Sequence, residues 1–251
     1  MQLRRPRSRG FTLTELAVVF AIVAFLIGGA MMTLSAQIEQ RNQEETRRRL
    51  NAAVEALVAY AIVNRRLPCP ASAGTTGDEA PAGGGICTTY FGGFLPARTI
   101  GLQETDPQGY ALDAWGNRIR YAVSNAVTGC TGVALGPPFF TSQANLKANG
   151  VSCQPNDIDI CAPADTTTAC TGANRVVSTQ TVVLLVFSVG KNGAVASSYG
   201  RHEDANVDGT AAFISRTPSG AEDVRGAYDD LMVWVPAGVL YARLIAAGVL
   251  P

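Results

Sequence analysis

From Leu16 to Ala36 the chain runs for twenty-one residues without a charge, Thr33 and Ser35 are the only polar side chains there, and a single acid, Glu15, stands at its head. As a helix rising 1.5 Å per residue, a stretch of this length spans roughly 30 Å, the hydrocarbon thickness of a bilayer. A helix buried in a soluble core usually keeps a polar face, and this stretch has none. Residues 1–10 (MQLRRPRSRG) precede it with Arg4, Arg5, Arg7 and Arg9 and no acid. A basic tip ahead of an apolar run reads as a cytoplasmic leader. The chain as a whole balances twenty basic against twenty acidic side chains, which indicates no general attraction to nucleic acid. With the four leader arginines set aside, sixteen basic groups face twenty acids, a net charge of about −4.

After Ala36 the pattern turns polar and then amphipathic. Leu50, Ala53, Val54, Leu57, Val58 and Ala61 recur at helical spacing, with Arg47, Arg48, Arg49, Glu55, Arg65 and Arg66 mostly off that stripe. No proline interrupts residues 11–66, and Pro68 disfavours helix at Leu67. One continuous helix of 56 residues would reach ~84 Å. Its weakest place is Gly28-Gly29, each costing about 1 kcal/mol relative to alanine. The expected organisation is a basic leader over 1–10, a transmembrane or filament-core helix over 11–36, an amphipathic continuation over 37–67 and a globular head over 68–251.

The head reads as α+β with a mainly antiparallel sheet. Residues 69–109 are rich in Gly, Pro, Thr and Ser and read as an irregular connection. Strand-like runs follow at Arg118–Ser124, Val176–Val189 and Leu231–Val235, with a loop-rich insertion over 126–175. Pro236 and Gly248 frame a short terminal helix. All six cysteines, Cys69, Cys87, Cys130, Cys153, Cys161 and Cys170, lie beyond the apolar run, and no two have the C-x-x-C spacing of zinc or redox sites. An even number outside the cytoplasm favours disulfides. Fifteen pairings are open, and the expectation taken is the local one: Cys69–Cys87, Cys130–Cys153 and Cys161–Cys170.

Gly10-Phe11-Thr12-Leu13-Thr14-Glu15, set between the basic leader and the apolar run, resembles the processing motif of type IV prepilins and type II secretion pseudopilins. The resemblance implies a pilin-like fold, cleavage after Gly10 by a membrane prepilin peptidase and N-methylation of Phe11. Glu15 matches the family's glutamate at the fifth mature position. Cleavage at Gly10 would leave an ammonium on Phe11, one helical turn from Glu15. A carboxylate in hydrocarbon costs at least ~2–3 kcal/mol, and a nearby cation and the helix N-terminus reduce that cost. In a filament the ammonium of an incoming subunit can pair with a neighbour's Glu15, which rewards correct register; Glu15 is therefore expected to serve assembly. Asp113-Ala114-Trp115-Gly116-Asn117 with Tyr121 resembles the turn before a strand in pseudopilin heads. Ser188-Val189-Gly190-Lys191-Asn192-Gly193, with Asp229-Asp230-Leu231 and Trp234, is similar to the loop and last strand of the major pseudopilin. The head is large for a main filament subunit, which points to a minor one. The partners implied are other pilin or pseudopilin subunits, the prepilin peptidase, an inner-membrane assembly platform with its ATPase, and lipid before assembly. The location implied is a single-pass inner-membrane protein with a periplasmic head, later part of a periplasmic pseudopilus or a surface pilus.

Asp204-Ala205-Asn206-Val207-Asp208-Gly209 fits the opening D-x-N-x-D-G of an oxygen-lined calcium loop. Ser215 stands where the bidentate glutamate belongs, so closure needs Glu222, Asp223, Asp229 or Asp230; related pseudopilin heads hold calcium in this region. The expected metal set is Asp204, Asn206, Asp208, Asp229 and Asp230. No catalytic residue is expected. His202 and Glu203 lack a nucleophile partner, the acidic pairs Glu44-Glu45, Glu222-Asp223 and Asp229-Asp230 read as solvated or cation-facing, and no phosphate-binding loop is present. Arg47-Arg48-Arg49 lacks interleaved aromatics, which disfavours a nucleic-acid partner. The competing reading is an exported periplasmic binding protein or enzyme, with Leu34-Ser35-Ala36 as a weak signal-peptide cleavage site.

Overall fold

The computed structural model describes residues 12–130, 138–178, 180–194 and 200–250, with the backbone alone in 28–34. The chain divides into two compact units, Met1–Gln43 and Glu44–Pro251. Helix α1 (Leu13–Asn64) contributes to both, and its backbone stays helical through Gly28 and Gly29. It stops where the chain turns left-handed at Arg65 (φ 57°), three residues before Pro68. In the first unit the side chains of Leu13 to Ile27 are exposed, Phe25 by 83%. Among the described residues no helix is long and apolar enough to cross a membrane; seven of the twenty-one residues of the apolar run, 28–34, have no described side chains.

The second unit is α+β. Its part of α1 buries Leu50, Ala53, Leu57, Val58 and Ala61 of the helical stripe read from the sequence and half-buries the sixth, Val54. These residues share a core with one face of an antiparallel sheet of β1 (Gly93–Phe94), β2 (Arg120–Val123), β7 (Val182–Ser188) and β9 (Leu231–Pro236), in that order. Alternation along the strands sorts the side chains. Leu184 and Val186 join Tyr121, Val123 and the helix, while Leu185 and Phe187 point the other way, to Ala122, Ile158, Ile160 and Phe213. All seven residues of β7 are fully buried, so each large apolar one contributes roughly 1.5–3 kcal/mol by leaving water. Helix α4 (Ala237–Ala246) adds Leu240, Tyr241 and Leu244 to the helix-side core.

The opposite face carries a second sheet, in which β5 (Asp159–Cys161) lies between β6 (Arg175–Val177), antiparallel, and β8 (Ala212–Ile214), parallel. The strand-like run Val176–Val189 is therefore two strands in two sheets, β6 ending at Val177 and β7 beginning at Val182. Residues 126–175 are more than a loop-rich insertion. They hold β3 (Val127–Thr128), α2 (Gln143–Asn149), β4 (Gln154–Pro155) and β5, and they place Phe139, Phe140, Leu146 and Ile160 in the two cores. Three disulfides, Cys69–Cys87, Cys130–Cys153 and Cys161–Cys170, join each cysteine to the next along the chain. A buried ion pair ties the end of α1 to the irregular segment: the Arg66 guanidinium donates to both oxygens of Glu79, at 2.7 and 2.8 Å, and Glu79 also accepts from the amides of Cys69 and Gly83.

Candidate functional site

Two places carry chemistry. The first is the start of α1. Thr12 precedes the helix, its hydroxyl accepts from the Glu15 amide at 3.3 Å, and the Glu15 carboxylate accepts from the Thr12 amide at 2.9 Å. This reciprocal pair is a capping box, T-x-x-E, which satisfies two helix-end amides. Glu15 thus has a local role that a reading of it as an isolated acid misses, although its spacing from Thr12 is legible in the sequence. The leader arginines, Gly10 and Phe11 lie outside the described residues.

The second place lies at the ends of β7 and β9. Asp113 organises one side of it. Its Oδ1 accepts from the amides of Trp115 (2.9 Å) and Asn117 (2.8 Å), and its Oδ2 from the Ser188 hydroxyl (2.6 Å). Gly116 sits at φ 88°, which glycine adopts at no steric cost. Asn117 then donates to the Gly190 carbonyl at 2.6 Å, so the D-x-W-G-N turn fixes the S-V-G-K-N-G loop. The amide of Ala114 donates to Thr46 and the Arg49 guanidinium to the carbonyls of Leu112 and Asp113, which ties the turn to α1.

The loop in turn holds Asp229, whose Oδ2 accepts from the amides of Lys191 and Asn192. Gly190, at φ 66°, is required here because a Cβ would overlap Asp229 Oδ1. Glu203 approaches from α3 (Arg201–Val207) and is 1% exposed. Its Oε1 accepts from the Asp229 amide at 2.7 Å and its Oε2 from the amide of Gly200 and the side chain of Asn192. Asp230, 3% exposed, accepts from Asn206 Nδ2 at 2.7 Å through its Oδ2. One oxygen each of Glu203, Asp229 and Asp230 lies within 4.8 Å of the others. Asp229 Oδ1 and Asp230 Oδ1 are buried with no hydrogen-bond partner among the described residues. Burial drives the Asp230 carboxyl well above the usual range, and burial followed by the charge of Glu203 pushes Asp229 up to about 6. Buried carboxylates with unsatisfied oxygens form the donor set that hard divalent cations take.

The expected D-x-N-x-D-G loop does not form. Asp204 to Val207 belong to α3, with Asp208 as its C-cap. Successive positions of a helix are turned about 100° apart, so alternate side chains diverge instead of ringing one point. Asp204 is exposed, Asp208 accepts from the Thr210 amide, and Asn206 is buried as the partner of Asp230 and of Ile214. Of the five expected ligands the structure brings together Asn206, Asp229 and Asp230; it adds Glu203 and leaves out Asp204 and Asp208. Glu222 is exposed, and Asp223 pairs with Arg225 at 2.8 Å. Glu203 was legible only as the acid beside His202. That histidine is fully buried, with Nε2 3.1 Å from the Thr167 carbonyl, and burial, then the Arg216 charge, lowers its pKa.

Residues 5–31 match the family model described as the prokaryotic N-terminal methylation motif. No curated protein and no solved structure matches the chain. With the basic tip, the glycine, the Thr12–Glu15 cap and the apolar helix in sequence, this chain carries the prepilin-type N-terminal motif of type IV pilins and pseudopilins.

Proposed function

We propose that the chain is a structural subunit, a minor one, of a type II secretion pseudopilus or a type IV pilus. It inserts in the inner membrane with Arg4–Arg9 cytoplasmic and its head in the periplasm, is cut after Gly10 and methylated on Phe11 by a prepilin peptidase, and is drawn out by an assembly platform into a filament of pilin-like subunits. The observation that carries the reading is the methylation motif placed at the start of an exposed apolar helix. An exposed apolar helix surface is what a lipid phase or a bundle of like helices would bury. Glu15 serves assembly, pairing with the ammonium of an adjacent subunit's Phe11. No enzymatic step is proposed. Mass spectrometry of the mature N-terminus in cells with an active prepilin peptidase tests the reading. Methylated Phe11 supports it, and a start at Gln37 favours an exported protein with an ordinary signal peptide.

The head is further proposed to hold a divalent cation, with calcium the natural choice for an all-oxygen set. Glu203, Asp229 and Asp230 would hold it, with Asn206 steadying Asp230. The bound ion would neutralise buried negative charge and fasten α3 to the strand ends. Calorimetry of the full chain in detergent with millimolar calcium tests this, and absence of both heat and thermal shift would refute it.

A further inference from the structure

Strand β9 is an edge. It pairs with β7 on one side, and among the described residues no strand pairs with it on the other. Its two faces are both spoken for: Leu231, Val233 and Val235 pack in the helix-side core, Met232 and Trp234 in the opposite one. Yet residues 230–234, five in a row, all border a single groove of about 250 Å³. Side chains of consecutive strand residues point to opposite faces, so what borders the groove along this stretch is the backbone edge of the strand and not one of its faces. Along an antiparallel strand the amide and carbonyl of successive residues point alternately to either side: those of Val233 face β7, whereas those of Met232 and Trp234 point outward and have no partner among the described residues. The groove's other walls are α1, through Arg47 and Asn51, and the segment after β8, through Arg216 and Pro218. The volume falls below the roughly 300–1,000 Å³ of small-molecule sites, which suits a short backbone stretch better than an enclosed metabolite.

The charge of the groove selects among peptides. Arg47 is exposed, with no ion-pair or hydrogen-bond partner among the described residues. Arg216 has a side chain only 2% exposed and is already engaged, its Nη1 donating to Ser219 Oγ and its Nη2 to the Gly226 carbonyl, with Asp223 3.8 Å away, so Arg47 is the cation of the groove open to a ligand. Asp230 also borders the groove, but its Oδ2 is committed to Asn206 within the carboxylate cluster. We propose that this groove docks an extended acidic peptide from a partner polypeptide, which adds to the sheet as a fifth strand beside β9 and sets an acidic side chain against Arg47. Unpaired strand edges are ready templates for such addition: main-chain hydrogen bonds supply the affinity and flanking groups the selectivity. The inference stands independently of the filament reading, since it uses neither α1 before Glu44 nor the methylation motif.

The test is fluorescence anisotropy of a labelled peptide, acetyl-(Val-Glu)3-amide, titrated with the purified full chain in detergent. Saturable binding is expected, weakened about tenfold by Arg47→Glu, an exposed position whose change leaves the core intact, and to a similar degree when lysine replaces glutamate in the peptide. Two further peptides carry N-methyl groups on alternate amides, one set on each edge of the strand. Strand addition predicts that one loses binding and the other keeps it. No saturable binding at millimolar peptide, equal binding by both N-methylated forms, or unchanged binding to the Arg47→Glu chain would each overturn the proposal. Sedimentation that finds a dimer of the chain alone, dissolved by Arg47→Glu, would overturn it too, by making a second copy the occupant.

Discussion

The two halves of α1 are one uninterrupted helix and follow opposite rules. From Leu13 to Ile27 the apolar side chains are exposed, Leu13 by 85% and Phe20 by 63%; from Leu50 to Ala61 the apolar side chains of the stripe are buried against a sheet. Helix formation is local and indifferent to this contrast, because the backbone bonds run within the segment. Burial is not local. The second half presents an apolar stripe that one sheet face covers, whereas the apolar side chains of the first half described here, Leu13 to Ile27, are exposed. What the difference teaches is that hydrophobicity alone does not place a residue in a core; its partner must be in the same chain.

Substitutions can break this comparison. One of the two largest effects is expected for Leu57→Ala, which empties a fully buried position and should lower the stability of the head by about 2–5 kcal/mol; Phe20→Ala, by contrast, should stay within about 0.5 kcal/mol. Denaturant unfolding followed by near-ultraviolet circular dichroism measures both, and equal losses would erase the distinction. Next comes the buried clamp at the end of the helix. Arg66→Met leaves Glu79 without its cation and is expected to cost about 3–5 kcal/mol. The exposed pair of Arg48 with Glu45 can be removed with no resolvable change in midpoint, since water and salt screen it.

A smaller effect sharpens the same clamp. Burial pushes the Glu79 carboxyl up, but the Arg66 guanidinium and the amides of Cys69 and Gly83 outweigh it and hold the carboxyl below its usual value of 4.5. A carboxyl whose folded pKa is depressed contributes stability above its unfolded pKa and loses it as pH falls through the folded value. The Glu79 contribution, read as the difference in unfolding midpoint between the unaltered chain and Glu79→Gln, is therefore expected to be level near neutrality and to shrink below about pH 4.5. Gly190→Ala probes the carboxylate cluster. It forces a side chain into the left-handed region and against Asp229, an expected loss of roughly 1–3 kcal/mol. Thermal shift with and without calcium would also show whether the cost grows when the carboxylates are asked to hold an ion.

Much of this was legible along the chain. The apolar run, the stripe from Leu50 to Ala61, the stop before Pro68, the strand from Leu231 and the T-x-x-E spacing of Thr12 and Glu15 all rest on contacts within a few residues or on strict periodicity. The misreadings have one cause, that a long-range partner overrode a local pattern. Asp204 to Asp208 read as a cation loop, yet the segment coils into a helix in which Asn206 is held by Ile214 and Asp230, and Glu203 is free to reach Asp229. Val176 to Val189 read as one strand, but its two ends belong to different sheets, and apolar composition carries no mark of which sheet a residue joins.

The order of charge, glycine, cap and apolar residues over the first part of the chain determined by itself that it carries a prepilin-type methylation motif and a long helix, because those features act through near neighbours. Only the tertiary structure decided which acids meet, that Glu203 replaces Asp204 and Asp208 beside Asp229 and Asp230, and that β9 is left as an edge with a groove beside it. Those outcomes depend on the register of strands far apart in sequence and on which faces they bury, quantities that no short window of residues contains.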